Sequence, residues 1–299
     1  NNIEEKKTYH KSVLQEELLE YINPQPNKIY IDATFGGGGH TKKILNAEPN
    51  CQVISIDWDK NAIKQNGPPL EEQYGNRLKV LWGNFTNIPK LIKNENIETV
   101  DGIIADFGTS QFQIKEMDGF SFQKDSLLDM RMSSSHQRIK ASTILNYYNE
   151  PRLAKIIFEY GEESKAKKIA REIVEFRKKK KFSSTQQLVE IFNKITPRRE
   201  YHKKIHPATK TFQALRIEVN KELENIEKLL ISSIKIINKG GRIVCISFHS
   251  LEDRIVKHFF KQNKETLNIL TTKPILASKE EVDGNRSSRS SKLRAAEKI

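Results

Sequence analysis

Residues 28–46 read K-I-Y-I-D-A-T-F-G-G-G-G-H-T-K-K-I-L-N: a short apolar run ending on Asp32, four glycines from Gly36 to Gly39, His40, and then apolar residues at helical spacing. A strand, a glycine turn and a helix in immediate succession form a nucleotide-type loop. Glycine lets the main chain come close to a ligand that a side chain would block. The dinucleotide fingerprint G-x-G-x-x-G is incomplete: counted from Gly36 its third glycine falls on Thr41, and counted from Gly37 it falls on Lys42. A G-x-x-x-x-G-K-[ST] phosphate loop is missing too, because His40 follows Gly39. Both NAD and ATP lose ground.

Working outward, the first third alternates strands with helices, the pattern of a parallel sheet covered on both faces. Lys28–Ala33, Gln52–Asp57, Leu78–Trp82 and Val100–Phe107 read as four strands, and Asp59 is placed to cap the helix after the second. Asp32, Asp57 and Asp106 stand at three strand ends. An open parallel sheet binds its ligand outside the carboxyl ends of the strands, so these acids are expected to share one rim. Such a rim suits the cationic sulfonium of S-adenosylmethionine, which needs no phosphate cradle. Asp57, 25 residues after Asp32, is placed to take both ribose hydroxyls.

Past Phe112 the texture changes. Glycines thin out and helical spacing takes over, as in Leu153, Ile156, Ile157 and Tyr160, then Ile169, Ile173, Val174 and Phe176, then Leu188, Val189 and Phe192. The α/β pattern returns with an amphipathic helix over Glu218–Ile237, a break at Gly240 and Gly241, a strand over Arg242–Phe248 and a helix over Leu251–Lys261. The expected organisation is an α/β domain of residues 1–112 and 216–284, a helical insert over 113–215, and a flexible basic tail over 285–299. Nine cations crowd Ser164–Lys181, ending in Arg177, Lys178, Lys179, Lys180 and Lys181. More follow at Arg198, Arg199, Lys203, Lys204, Lys210 and Arg216, interleaved with Tyr201, His202, His206 and Phe212, a mixture that suits RNA. A lysine run is also what a solvated helix face looks like.

The 299 residues carry 51 Lys and Arg against 38 Asp and Glu, a net charge of +13 that would attract a polyanion or sit as a bias of surface composition. No apolar run reaches the roughly 18 residues of a membrane span, and Asn1–Lys7 is polar, so neither membrane insertion nor secretion is expected. Cys51 and Cys245 lie in apolar runs, arguing for core positions in a reducing cytoplasm and against a disulfide scaffold or a cysteine zinc site; no metal is expected.

Ile31–His40, I-D-A-T-F-G-G-G-G-H, resembles the bacterial ribosomal small-subunit methyltransferase H family, RsmH, formerly MraW. The likeness continues through H-K-S-V-L from His10, D-W-D from Asp57, G-N-F from Gly83, D-F-G-T-S-Q-F-Q from Asp106, G-F-S-F from Gly119 and L-D-M-R-M from Leu128. It runs on through Y-G-E from Tyr160, H-P-A-T-K-T-F-Q-A-L-R from His206, S-F-H-S-L-E-D-R from Ser247 and Ser290–Ala295. The resemblance implies a Rossmann-like class I methyltransferase domain with an all-helical domain inserted after the fourth strand. It also implies transfer of a methyl group from S-adenosylmethionine to the exocyclic N4 amine of a cytidine in the decoding region of small-subunit (16S) rRNA. The partners it implies are the small ribosomal subunit and its rRNA, with monomer and homodimer both open. Its cofactor positions carry over as Gly38, Gly39, His40, Asp57, Phe85, Asp106 and Gln113. Gln111 and Phe112 replace the usual Ser-Pro before Gln113, Asp118 a usual Arg, Ser12 a usual Pro, and Arg286 a usual Pro. The first departure loosens the loop presenting Gln113.

Cytosine's amine is a weak nucleophile because its lone pair is delocalised into the ring, so alignment and a hydrogen-bond acceptor are what the chemistry requires. Asp106 is the candidate acceptor, with a strand-end turn cap as its alternative. His249 is the second catalytic candidate, either facing base or phosphate or bonded to backbone in its turn. His10 and His40 share that ambiguity, His206 with Pro207 reads as a bend, and Asp129 and Arg131 either pair internally or hold RNA. Two other classes compete. A dinucleotide oxidoreductase lacks its third glycine, and a noncatalytic RNA-binding factor leaves the acids and glycine loop unexplained.

Overall fold

Tyr30 and Ile31, Val53 and Ile54, Ile103 and Ile104, and Ile243 and Val244 are consecutive apolar pairs, and each pair is divided between the two faces of one sheet. Ile31, Ile54, Ile103 and Ile243 join one buried cluster, and Tyr30, Val53, Ile104 and Val244 join the other. Strands buried on both faces need unbroken apolar runs, which is why these stretches do not alternate with polar residues. The computed structural model describes residues 12–109, 119, 125–197 and 206–299. The chain forms two compact units, Asn1–Ser110 with Leu223–Ile299, and Gln111–Glu222.

In the first unit, α1 (Gln15–Ile22) precedes β1 (Ile29–Asp32), α2 (Gly39–Ala47), β2 (Gln52–Asp57), α3 (Lys60–Tyr74), β3 (Leu78–Trp82), α4 (Ile88–Lys93) and β4 (Val100–Asp106). The sheet order is β3-β2-β1-β4-β5-β8-β6, with β7 also paired to β8. Strands β1 to β4 and β5 (Ile237–Ser247) run parallel. Strand order therefore reverses between β1 and β4, creating a crevice at their carboxyl ends where α/β sheets bind ligands. One face is covered by α1 and α2 through Leu14, Leu18, Ile44 and Leu45. The other is covered by α4 and two helices that follow the insert, through Ile88, Ile92, Leu229, Leu230 and Phe260. Cys51 and Cys245 are both free and fully buried, one in each cluster. Burial pushes the Cys245 thiol up to about 12. Asp59 caps α3 by accepting from the Asn61 N–H at 2.8 Å.

The second unit holds α5 (Ala141–Tyr147), α6 (Glu150–Gly161), α7 (Ala166–Lys179), α8 (Thr185–Ile195) and α9 (Thr209–Asn220), and a single bridge joins Leu127 to Ser184. Its apolar face is the one the sequence spacing picks out: Leu153, Ile156, Ile157, Ile169, Ile173, Leu188 and Phe192 are all buried. The expected boundary at residue 216 gives way to one after Glu222, because α9 runs without a break through Arg216 and packs on α6. The single helix expected over Glu218–Ile237 is two, α9 and α10 (Glu222–Ile236), separated by Lys221 at φ 52°. Gly240 and Gly241 do not break a helix. They lie inside β5, where the pairing with β4 shifts register between Val100 and Gly102 and Gly240 adopts φ 79°.

The tail is the main correction. After α11 (Ser250–Gln262), β6 (Leu267–Ile269), β7 (Ile275–Leu276) and α12 (Lys279–Gly284), residues Lys292–Lys298 form β8, antiparallel to both β5 and β6. Leu293, Ala295 and Ala296 are completely buried in it. Arg294 is buried against Asp253, with N–H···O distances of 2.6 and 3.1 Å, and the Lys298 ammonium donates to the Ile234 and Ile237 carbonyls. Counting charges in 285–299 hid an apolar core that two of its cations serve. No helix among the described residues is long and apolar enough to cross a membrane.

Candidate active site

The crevice is assembled from the residues that follow β1, β2 and β4. After β1 the chain turns through Gly36 at φ 52° and Gly38 at φ 77°, conformations that carry strain for any residue with a Cβ. Gly38 caps α2, and a Cβ there would also press on the Leu70 and Phe35 side chains; one at Gly39 would overlap Ser12. The glycines thus let the first turn of α2 pack closely on Phe35, Leu70 and the start of α1, with its N-terminal N–H groups just past the carboxyl end of β1.

The three strand-end acids do not behave alike. Asp32 is 1% exposed and faces inward. One of its oxygens accepts from the Thr34 N–H at 3.1 Å and the other from the Thr41 hydroxyl at 2.6 Å, while Thr41 also bonds the Ser55 hydroxyl at 2.7 Å. Burial raises its pKa, opposed by the Thr41 hydrogen bond. Asp32 thus braces the loop through its bonds to Thr34 and Thr41, an arrangement made possible by hydroxyls at positions 41 and 55.

Asp57 ends β2 and is also buried. Its two oxygens accept from the Gly36 N–H at 2.7 Å and the Asp59 N–H at 2.9 Å. The first of these ties the glycine turn to β2. Burial pushes the carboxyl up to about 6, against the pull of those two N–H groups. Each carboxylate oxygen has two acceptor directions, so both retain capacity for a ligand hydroxyl. Beside it, Phe85 opens a short turn after β3, half-buried, with its ring centroid 6.2 Å from that of Trp58 and 6.4 Å from that of Phe107. These rings form an aromatic wall next to the acid.

Asp106 ends β4 and is 4% exposed. Its backbone N–H donates to the Thr34 hydroxyl at 2.7 Å, and one carboxylate oxygen accepts from the Gly108 N–H at 3.0 Å. The other lies 3.1 Å from His40 Nε2, an acid and an imidazole brought together across 66 residues of sequence. The buried Nδ1 of His40 has no hydrogen-bond partner among the described residues. Gly108 packs under the Phe248 ring so closely that a Cβ would overlap it, which joins the ends of β4 and β5.

His249 follows β5 on the same edge of the sheet, since Ile246 is the register partner of Asp106. It caps α11, its Nδ1 accepting from the Glu252 N–H at 3.4 Å, with Nε2 3.3 Å from the Glu252 carboxylate. Gln113 and His10 lie outside the described residues. Asp129 and Arg131 pair internally in a two-bond fork of 2.6 and 2.9 Å, and His206 Nδ1 accepts from the Ala208 N–H at 3.1 Å, making the bend that enters α9.

The donor set fits S-adenosylmethionine. A carboxylate with spare acceptor capacity suits a ribose, an aromatic wall suits an adenine, and a second carboxylate backed by an imidazole whose other nitrogen is buried and without a partner among the described residues suits a cationic, proton-bearing reaction centre. Thr34, Thr41, Ser55 and Trp58 were not singled out in the sequence. The one signal available was the two-residue offset from Asp32 to Thr34, which is that of a side-chain-capped turn.

Comparison with known proteins gives consistent results. The model of the MraW methylase family matches residues 7–299. A ribosomal RNA small subunit methyltransferase H from Sulfurihydrogenibium sp. (strain YO3AOP1) is 47% identical over 292 residues, covering 97% of this chain and 99% of the relative. The protein of that name from Carboxydothermus hydrogenoformans is 41% identical over 308 residues, covering 97% and 98%. Among solved structures, an rRNA methylase from Streptococcus thermophilus aligns with a TM-score of 0.45 at 9% identity, covering 95% of this chain and 93% of that one, a likeness too distant to carry an argument.

Proposed function

The chain belongs to the MraW methylase family, and from that membership and the rim geometry we propose that it methylates the exocyclic N4 amine of a cytidine in the decoding region of small-subunit rRNA, using S-adenosylmethionine. The substrate is the rRNA within the small ribosomal subunit, in the cytoplasm.

S-adenosylmethionine supplies an electrophilic methyl group on a cationic sulfur. Asp57 accepts from the ribose hydroxyls and is held to the glycine loop by its bond to Gly36, supported by the 2.7 Å distance. Gly38, Gly39 and His40 would form the loop that holds the cofactor and Phe85 would lie beside its adenine; Gln113, the further contact the family resemblance implies, lies outside the described residues. The single observation that carries the catalytic reading is the buried Asp106–His40 pair at the switch point. Asp106 accepts a hydrogen bond from the cytidine amine, which localises the nitrogen lone pair as the N–C bond forms and the S–C bond breaks, and it is the first stop for the proton then lost. His40 donates to the other side of Asp106 and fixes its orientation. His249 stands on the same sheet edge to meet base or phosphate, with Glu252 holding its ring. The helical unit, richest in cations, holds the RNA backbone.

Labelled S-adenosylmethionine incubated with small ribosomal subunits lacking the modification, with naked rRNA alongside, is the direct test. Label in N4-methylated cytidine by nucleoside mass analysis is the expected result. Measurable cofactor binding with no label in either RNA would overturn the reading.

A further inference from the structure

Tyr147 ends α5 with its ring 72% exposed, more than any other large apolar side chain among the described residues. Its surroundings are unusually fixed for so exposed a ring. The carbonyls of Leu145 and Tyr148 accept from the Arg177 guanidinium at 2.9 and 2.6 Å. Asn146 closes two 2.9 Å bonds with the backbone of Phe182, one to its carbonyl and one from its N–H. Tyr148 is buried, donates its hydroxyl to Glu218 at 2.8 Å and carries the Arg152 guanidinium 3.7 Å over its ring. Arg177, counted in the sequence with the RNA-facing cations, is thus spent on holding this platform.

The same Asn146 bonds bring the lysine run to the ring. Phe182 is 2% exposed, packs on Phe176 with centroids 4.7 Å apart, and directly follows Lys178–Lys181. Lys181 Nζ lies 4.9 Å from the Tyr147 ring centroid. Lys178 is paired with Glu175, whereas Lys179 and Lys180 are exposed with no ion-pair partner among the described residues. A ring presented to solvent on a rigid base, with ammonium groups beside it, matches a base stacked on an aromatic face and phosphates held next to it. Rigidity matters because little conformational freedom is lost when the ring is engaged.

We propose that Tyr147 is a stacking platform for one unpaired base of the RNA substrate, and that Lys179, Lys180 and Lys181 hold the phosphates adjoining that base. The proposal rests on the RNA-methylation reading above and adds a binding site in the helical unit, apart from the residues that hold the cofactor.

The test uses the full chain, small ribosomal subunits lacking the modification, and naked small-subunit rRNA. Methyl transfer by the unaltered protein is established first; its absence overturns the functional reading rather than this one. Tyr147→Ala is expected to raise KM for the RNA about tenfold or more, with little change in kcat and in S-adenosylmethionine affinity. Tyr147→Phe, which keeps the stacking face, is expected to restore the affinity. A thermal melt of each variant separates binding from folding. An unchanged KM in Tyr147→Ala, or a loss in Tyr147→Phe as large as in Tyr147→Ala, overturns the stacking role. A defect present on the particle and absent on naked rRNA assigns the ring to a ribosomal protein instead and also overturns it.

Discussion

Asp57 and Asp106 are both strand-end acids, and the structure gives them different chemistry. Burial lifts the Asp57 carboxyl to about 6, so lowering the pH from 7 through 6 protonates it and removes acceptor capacity needed by a ribose. Cofactor affinity is expected to fall across that interval, as measured by calorimetry with S-adenosylhomocysteine, and an affinity flat from pH 5 to 8 would remove Asp57 from the cofactor site. The effect on folding has the opposite sign. A carboxyl whose pKa is raised from 3.8 in the folded state takes up a proton on folding, so its contribution favours the fold at low pH and is lost as pH rises toward 6. Asp106→Asn keeps the size of the side chain and its acceptor toward His40 while removing the charge. It is expected to lower kcat by about a hundredfold or more with a thermal midpoint close to that of the parent; parental turnover would leave Asp106 as a turn cap only. Strand-end position made these acids legible in the sequence. The partner each carboxylate takes was not: Asp32 satisfies the same pattern as Asp106 yet bonds Thr34 and Thr41, while Asp106 takes His40 across 66 residues.

Among elements, β8 shows what a charge count obscures. Residues 285–299 look like a basic arm, but within K-L-R-A-A-E-K the apolar residues face the two core clusters and pair β8 with β5 and β6. The pairing with β5, across 45 to 55 residues, left no local mark. Arg294 and Asp253 are both buried, so removing one partner strands the other's charge. Arg294→Met is expected to cost about 3–5 kcal/mol in urea unfolding. Replacing both, with Asp253→Leu added, is expected to recover much of that loss, since two apolar residues strand nothing. A single variant as stable as the parent would show that the pair is not part of the core. Gly108→Ala tests the join between β4 and β5. A methyl group there overlaps the Phe248 ring, so the variant is expected to lose stability and methyl transfer together, whereas an intact enzyme would mean that Phe248 moves aside without consequence. By contrast, β1, β2 and β4 were readable almost to the residue, because burial on both faces writes an unbroken apolar run into the chain, whereas β5 starts five residues before the expected Arg242, its opening stretch through Gly240 and Gly241 reading as a break.

At the scale of the whole molecule, the net charge of +13 is unevenly held. Residues 111–222 contain 24 Lys and Arg against 14 Asp and Glu, so this helical unit carries +10, and the α/β unit that builds the cofactor crevice is close to neutral at +3. That division separates two kinds of salt dependence. Each phosphate neutralised by a cation releases counterions, so RNA affinity falls with a log–log slope set by the number of contacts, about 0.7 to 0.9 per contact. Cofactor binding, between a nearly neutral unit and a ligand whose charges largely cancel, has no such slope. Raising KCl from 50 to 200 mM is therefore expected to weaken rRNA binding by about tenfold or more while changing S-adenosylhomocysteine affinity by no more than about twofold. Within the lysine run the residues are not equivalent, because Lys178 is paired with Glu175 and Arg177 is committed to the α5 carbonyls. Replacing Lys179 and Lys180 by Gln is expected to reduce the slope by between one and two, and replacing Lys178 alone by less than one. A slope unchanged by the Lys179 and Lys180 replacements would return the run to an ordinary solvated helix face and move the RNA contact to other cations of the unit.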